Sequence, residues 1–107
     1  MSRDMAYLAD MLIMAKDARK FIDNYSKKDF FNDLKTQYAV IRCLEVIGEA
    51  AKKVSDDTRD KYQLPWSEIS RMRDLLIHSY GKVDKEEVWL TATKDLPELI
   101  KILEKDV

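Results

Sequence analysis

Residues 29–54 read DFFNDLKTQYAVIRCLEVIGEAAKKV, and two apolar lines run through them at helical spacing. Val40, Leu44, Ile47, Ala51 and Val54 recur every three or four residues, which places them on one face of an α-helix. Leu34, Tyr38, Ile41 and Gly48 form a second line. A helix that is apolar on two sides sits centrally, or packs a core with one side and a partner with the other. The segment also carries a polar line, Arg42, Glu45, Glu49 and Lys52. Intrahelical ion pairs on a solvated face explain that line, and a catalytic role is its alternative.

Outward from this helix the same period continues. Towards the N-terminus, Met5, Leu8, Leu12, Ala15 and Ile22, with Arg19 in the remaining slot, predict a helix over about 3–24, closed by a break at Asn24-Tyr25-Ser26. Towards the C-terminus, Ser55 is an expected cap for a short helix over 56–62. Leu64-Pro65-Trp66-Ser67 reads as a turn into the next helix, with Ser67 as cap and Glu68 beside the positive helix end. That helix, with Ile69, Met72 and Leu76 as its apolar stripe, should run to Tyr80 and stop at Gly81. Asp84-x-x-Glu87 is a capping-box variant opening a last helix whose stripe is Trp89, Ala92, Leu96, Leu99 and Leu103, kinked or restarted at Pro97. The expectation is an all-α protein: an antiparallel four-helix bundle with one additional short helix, forming a single domain over residues 1–107.

Composition narrows the function. Two Gly and two Pro in 107 residues are too few for an all-β fold rich in tight turns. No apolar run approaches the roughly 20 residues of a membrane span, and the N-terminus lacks a cleavage-site pattern. The lone Cys43 excludes an internal disulfide and reads as packing inside a helix, so a reducing cytoplasm is expected. A net charge of −1 excludes a general polyanion binder, so any RNA contact must come from a local basic cluster. One His and one Cys leave no zinc-site spacing, and Gly48 and Gly81 make no phosphate loop; the many Asp and Glu leave a carboxylate-bound Mg²⁺ open, although no particular quartet of them stands out. No cofactor and no metal are expected.

The chemistry concentrates in Arg71-Met72-Arg73-Asp74-Leu75-Leu76-Ile77-His78-Ser79-Tyr80-Gly81. Asp74 and His78 are four apart and share a helix face, where the carboxylate could orient the imidazole. Arg73 and Tyr80, seven apart, return to nearly one face, whereas Arg73 and His78 lie about 140° apart on an ideal helix. A two-fold copy could bring a second Arg73 and His78 into one cleft. Imidazole can move protons to and from ribose and phosphate oxygens, and guanidinium can brace phosphate charge in the transition state. RNA supplies its own 2′-hydroxyl nucleophile, so this pair suits RNA without a metal. Equally, a histidine near a helix C-terminus can be a cap, Arg73-Asp74 can be surface charge, and Tyr80 can be a core aromatic. Spacing alone leaves both readings open.

Arg73-Asp74-x-x-x-His78 resembles the signature of the HEPN superfamily, and Arg73-x-x-x-x-His78-x-Tyr80 is similar to its HepT toxin branch. The stretches 39–52, 64–69 followed by 72–73, 83–84 and 95–99 are similar to that branch in order and spacing, which extends the resemblance over nearly the whole chain. The Gly81-Lys82-Val83 loop departs from it, since many relatives carry an aromatic before the glycine. The resemblance implies a HEPN bundle that dimerises with two motifs along a shared cleft. It implies a metal-independent endoribonuclease with Arg73 and His78 catalytic and Asp74 supporting. It further implies a toxin–antitoxin pair whose partner, a minimal nucleotidyltransferase, transfers AMP to Tyr80. Arg71, Lys82, Arg42, Glu45 and Glu49 are candidate RNA or partner contacts. A HEPN bundle that only docks a nucleotidyltransferase or a nucleotide is the alternative.

Overall fold

The computed structural model describes residues 3–78 and 82–107, and every regular element among them is helical. Helix α1 (Asp4–Phe21) buries Leu8, Met11, Leu12, Ala15 and Ala18, while Met5, expected in the stripe, is 49% exposed at the helix start. The chain then turns at Asn24, whose φ of +63° is a left-handed conformation that asparagine tolerates. The predicted break at 24–26 is therefore present.

The helix expected over 29–54 is two helices. Ser26 and Asp29 form a reciprocal capping box that starts α2 (Lys27–Phe31). Asp33 then ends that run and caps α3 (Leu34–Lys53), accepting the Thr36 amide at 3.1 Å. The Asp33 carboxylate also accepts the Tyr25 and Thr36 hydroxyls at 2.6 and 2.7 Å. These bonds, Tyr25 first, hold its pKa at about 2, below the ordinary 3.8. A short acidic side chain that bonds its own backbone competes with helix continuation, which is why the apolar period alone overran this joint. Buried Gln37 seals it by donating to the Phe30 and Phe31 carbonyls.

The two lines of α3 separate as their spacing predicts. Val40, Leu44, Ile47, Ala51 and Val54 are buried, whereas Leu34 and Tyr38 are 56% and 64% exposed. Helix α1 packs antiparallel along one side of α3. Its first residue, Asp4, accepts from the Ser55 amide and from the Ser55 and Thr58 hydroxyls at the far end of α3. Ser55 itself caps α4 (Asp56–Lys61), as expected.

Helix α5 (Trp66–His78) covers another side of α3. It begins one residue ahead of the expected cap Ser67, because the Pro65 carbonyl already accepts the Ile69 amide. Asp84 caps α6 (Lys85–Leu90). A π-helical turn over Thr91–Asp95 leads into α7 (Leu96–Leu103). Pro97 has no amide to return to the preceding turn, so the predicted kink takes the form of a widened turn just before it. The Ala92 carbonyl in that turn accepts from Arg19 of α1 at 3.1 Å.

The four main layers are thus α1, α3, α5 and the α6–α7 run, with two short connecting helices where one was expected. Phe30, Leu8, Met11, Leu103, Val40 and Val88 are fully enclosed, and Phe30 lies 5.3 Å from the Trp89 ring. Cys43 is buried as expected, and its burial raises the thiol pKa. Among the described residues no helix is long and apolar enough to cross a membrane.

Candidate active site

Trp66 anchors the start of α5. Its indole nitrogen donates to the Arg59 and Tyr62 carbonyls at 3.2 and 3.1 Å, and the Arg59 guanidinium lies 5.6 Å over the ring. From that anchor Leu76 is buried, with Ile69 and Met72 half-buried beside it. This rotation turns Arg73 onto α3, where it meets Gly48. A Cβ placed on Gly48 would lie 2.1 Å from Arg73 Cβ and 2.7 Å from its Cγ. Only a residue without a side chain lets the arginine stem lie this close to the helix backbone.

The guanidinium end is held by charge. Asp74 Oδ1 accepts from Lys52 Nζ at 2.6 Å and from Arg73 Nη1 at 3.1 Å. The Lys52 ammonium first, and the Arg73 guanidinium second, hold the Asp74 carboxyl below the usual carboxylate range. Two cations share one carboxylate, so the cluster keeps a net positive charge. Arg73 Nε is buried and has no partner among the described residues, while the side chain as a whole is 26% exposed. Arg73 is therefore a seated, oriented cation and not loose surface charge.

His78 lies in the last turn of α5 and is exposed. The expected Asp74–His78 pair is not formed among the described residues, because Asp74 turns to Lys52 and Arg73. Nor does a hydrogen bond join Arg73 to His78 within the described chain, in keeping with their separation of about 140° round the helix. Arg42 pairs with Glu45 at 3.3 Å and with Glu49 at 3.7 Å, so these three form the intrahelical line read from the sequence. Lys52, assigned to the same line, instead crosses to α5. Arg71 and Lys82 are not gathered at the Arg73 cluster: each lines a depression on the other flank of α5. Tyr80 lies outside the described residues, as does the Gly81 stop. Among the described residues no three His, Cys, Asp or Glu side chains are grouped to hold a metal ion.

Sequence reasoning missed the pairing of Gly48 with Arg73. The signal was there: a lone glycine inside a 20-residue helix costs stability of about 1 kcal/mol relative to alanine, which calls for a packing reason.

Residues 11–105 match the HepT-like ribonuclease family. The chain belongs to that family. A candidate RNase of Methanocaldococcus jannaschii is 46% identical over 101 residues, covering 94% of this chain and 84% of its own length. The protein named probable ribonuclease HepT of Thermococcus cleftensis is 42% identical over 100 residues, covering 92% of this chain and 91% of its own. A candidate RNase of Caldanaerobacter subterraneus is 38% identical over 105 residues, covering 94% of each chain. No solved structure matches significantly. Family membership sets the Arg73 cluster in context: the cation seated on Gly48 is also the first residue of the motif that resembles the family signature.

Proposed function

We propose that this chain is a ribonuclease toxin that cleaves RNA without a metal, using Arg73 and His78. The observation that carries this reading is the half-buried Arg73, seated on Gly48 and tied through Asp74 to Lys52. Such a cation is prepaid in orientation and can meet the charge that grows on a phosphate in the transition state.

The chemistry is an internal transesterification. The ribose 2′-oxygen bonds to phosphorus as its proton leaves to a base, and the bond from phosphorus to the 5′-oxygen breaks as that oxygen gains a proton. The products are a 2′,3′-cyclic phosphate and a 5′-hydroxyl end, and no redox change or outside reactant is needed. The step calls for one base and one acid, yet each chain has a single histidine. A homodimer supplies two. Its interface is the exposed apolar strip of Leu34 and Tyr38 on α3, which lies on the same line of that helix as Gly48. Arg73 of one copy and His78 of the other then face one cleft, which resolves their divergence on a single helix.

Control is read from the spacing of the motif in the sequence. A minimal nucleotidyltransferase antitoxin adds AMP to Tyr80, two residues past His78, and the added phosphate repels and occludes RNA at the cationic cluster. The test is cleavage of a short RNA in EDTA by wild type, Arg73→Ala and His78→Ala. Loss of cleavage in both variants is expected, and equal cleavage by wild type and His78→Ala rules the mechanism out. Sedimentation of Tyr38→Glu should show monomers, whereas an unchanged dimer moves the interface elsewhere. Intact mass after incubation with the partner and ATP should gain AMP in wild type and not in Tyr80→Phe.

A further inference from the structure

On the flank of α5 away from Arg73, an open groove of about 510 Å³ runs between α5 and the α6–α7 run, over α3. Its walls are apolar: Ile47, Ile69, Met72, Leu96 and Leu99 line it. Four carboxylates, Glu68, Glu87, Asp95 and Glu98, also line it, and none of them is in an ion pair among the described residues. Arg71 is the one cationic residue there. Asp95 and Glu68 repel each other across the gap. Together with the burial of Asp95, which is the larger cause, this repulsion raises the Asp95 carboxyl above its ordinary value, and neighbouring Lys94 offsets only part of the effect.

An apolar channel edged by unpaired negative charge matches one kind of occupant. We infer that this groove docks a cationic amphipathic helix of a partner protein, with aliphatic side chains between α5 and α7 and lysines or arginines against the four carboxylates. The channel lies between α5, which packs on α3, and α7, which packs on α1. Asp95 and Thr91 come from the π-helical turn, a kind of irregularity that often marks functional sites. The groove is separate from the Arg73 cluster, so a partner can occupy it whether or not the chain cleaves RNA.

The test uses the full chain and two labelled 18-residue peptides of one amphipathic pattern, one of leucine and lysine and one of leucine and glutamate. The lysine peptide should bind and shift the Ile47, Ile69 and Leu99 methyl resonances, with the glutamate peptide at least tenfold weaker. Combining Glu68→Gln and Glu98→Gln should weaken the lysine peptide about tenfold, while Glu104→Gln, on the same chain but outside the groove, should leave it unchanged. Equal binding of both peptides, equal loss in Glu104→Gln, or resonance shifts confined to other surfaces would overturn the proposal. So would dissociation of a dimer by Leu90→Glu in the absence of peptide, since a second copy of this chain would then be what covers the groove.

Discussion

On one flank of α5, Arg73 lies on a glycine and shares a carboxylate with Lys52; on the other, four carboxylates edge an apolar groove and make no ion pair among the described residues. The two flanks are separated only by the Ile69, Met72 and Leu76 stripe. The difference is one of closure. On the Arg73 flank the helices touch so closely that a single methyl group would not fit, and the Asp74 carboxylate is shared by two cations, with Arg73 Nε left buried and unpartnered among the described residues. On the groove flank the helices stand apart and the charges are left over. A closed, oriented cation suits chemistry at a single phosphodiester group, whereas an open, uncompensated surface suits docking of a partner protein.

The largest expected effect breaks the comparison at its chemical end. Arg73→Ala and His78→Ala should each lower RNA cleavage about 10²–10⁴-fold, the range for losing a positioned charge or a proton-transfer group. Glu98→Gln, on the other flank, should leave cleavage unchanged in the same assay. If Glu98→Gln and His78→Ala were equally impaired, the two flanks would not be functionally distinct.

Closure itself is tested by Gly48→Ala. The added methyl cannot share space with Arg73 Cβ, so α5 must shift away from α3. Overpacking of this kind costs about 1–3 kcal/mol, which for a chain of this size lowers Tm by roughly 5–20 °C. Calorimetry checks the loss, and cleavage should fall more than stability alone explains because Arg73 is displaced. An unchanged Tm would mean that the contact is looser than the geometry shows.

A smaller effect separates charge from shape. Removing the ammonium in Lys52→Met leaves Asp74 to neutralise Arg73 alone, and RNA should bind about fivefold more weakly, in line with the modest worth of exposed ion pairs. Lys52→Arg should restore binding, and so should the Lys52→Met, Asp74→Asn double variant, which returns the cluster to its original net charge. A 2′-O-methyl RNA reports binding without cleavage. Failure of the double variant to recover would assign Lys52 a purely geometric role.

The smallest effect lies away from both flanks, at the α2–α3 joint. The Asp33 pKa is depressed in the folded chain to about 2. A depressed carboxyl stabilises the fold above its unfolded pKa, and that contribution fades as pH falls from about 4 towards 2. Asp33→Asn should therefore lower Tm at pH 7 and flatten the acid limb of the Tm–pH curve. A variant with the wild-type acid slope would show that other carboxylates carry it.

What could be read without coordinates was whatever repeats or caps locally. The buried line of α3 from Val40 to Val54, the Ser55 and Asp84 caps and the disturbance at Pro97 follow from side-chain period and backbone chemistry within a few residues. The motif from Arg73 to His78 was visible as a spacing, and the Arg42, Glu45, Glu49 line as a helix face. The Asn32-Asp33 break was missed because an apolar period does not record that one carboxylate collects three donors across a joint. Tertiary structure alone decided that Lys52 leaves its own helix for Asp74, that Gly48 receives Arg73, and that α5 and the α6–α7 run leave a groove between them. Each depends on how far apart two helices settle. That distance is set by the sum of side-chain volumes on both surfaces, which no single stretch of chain contains.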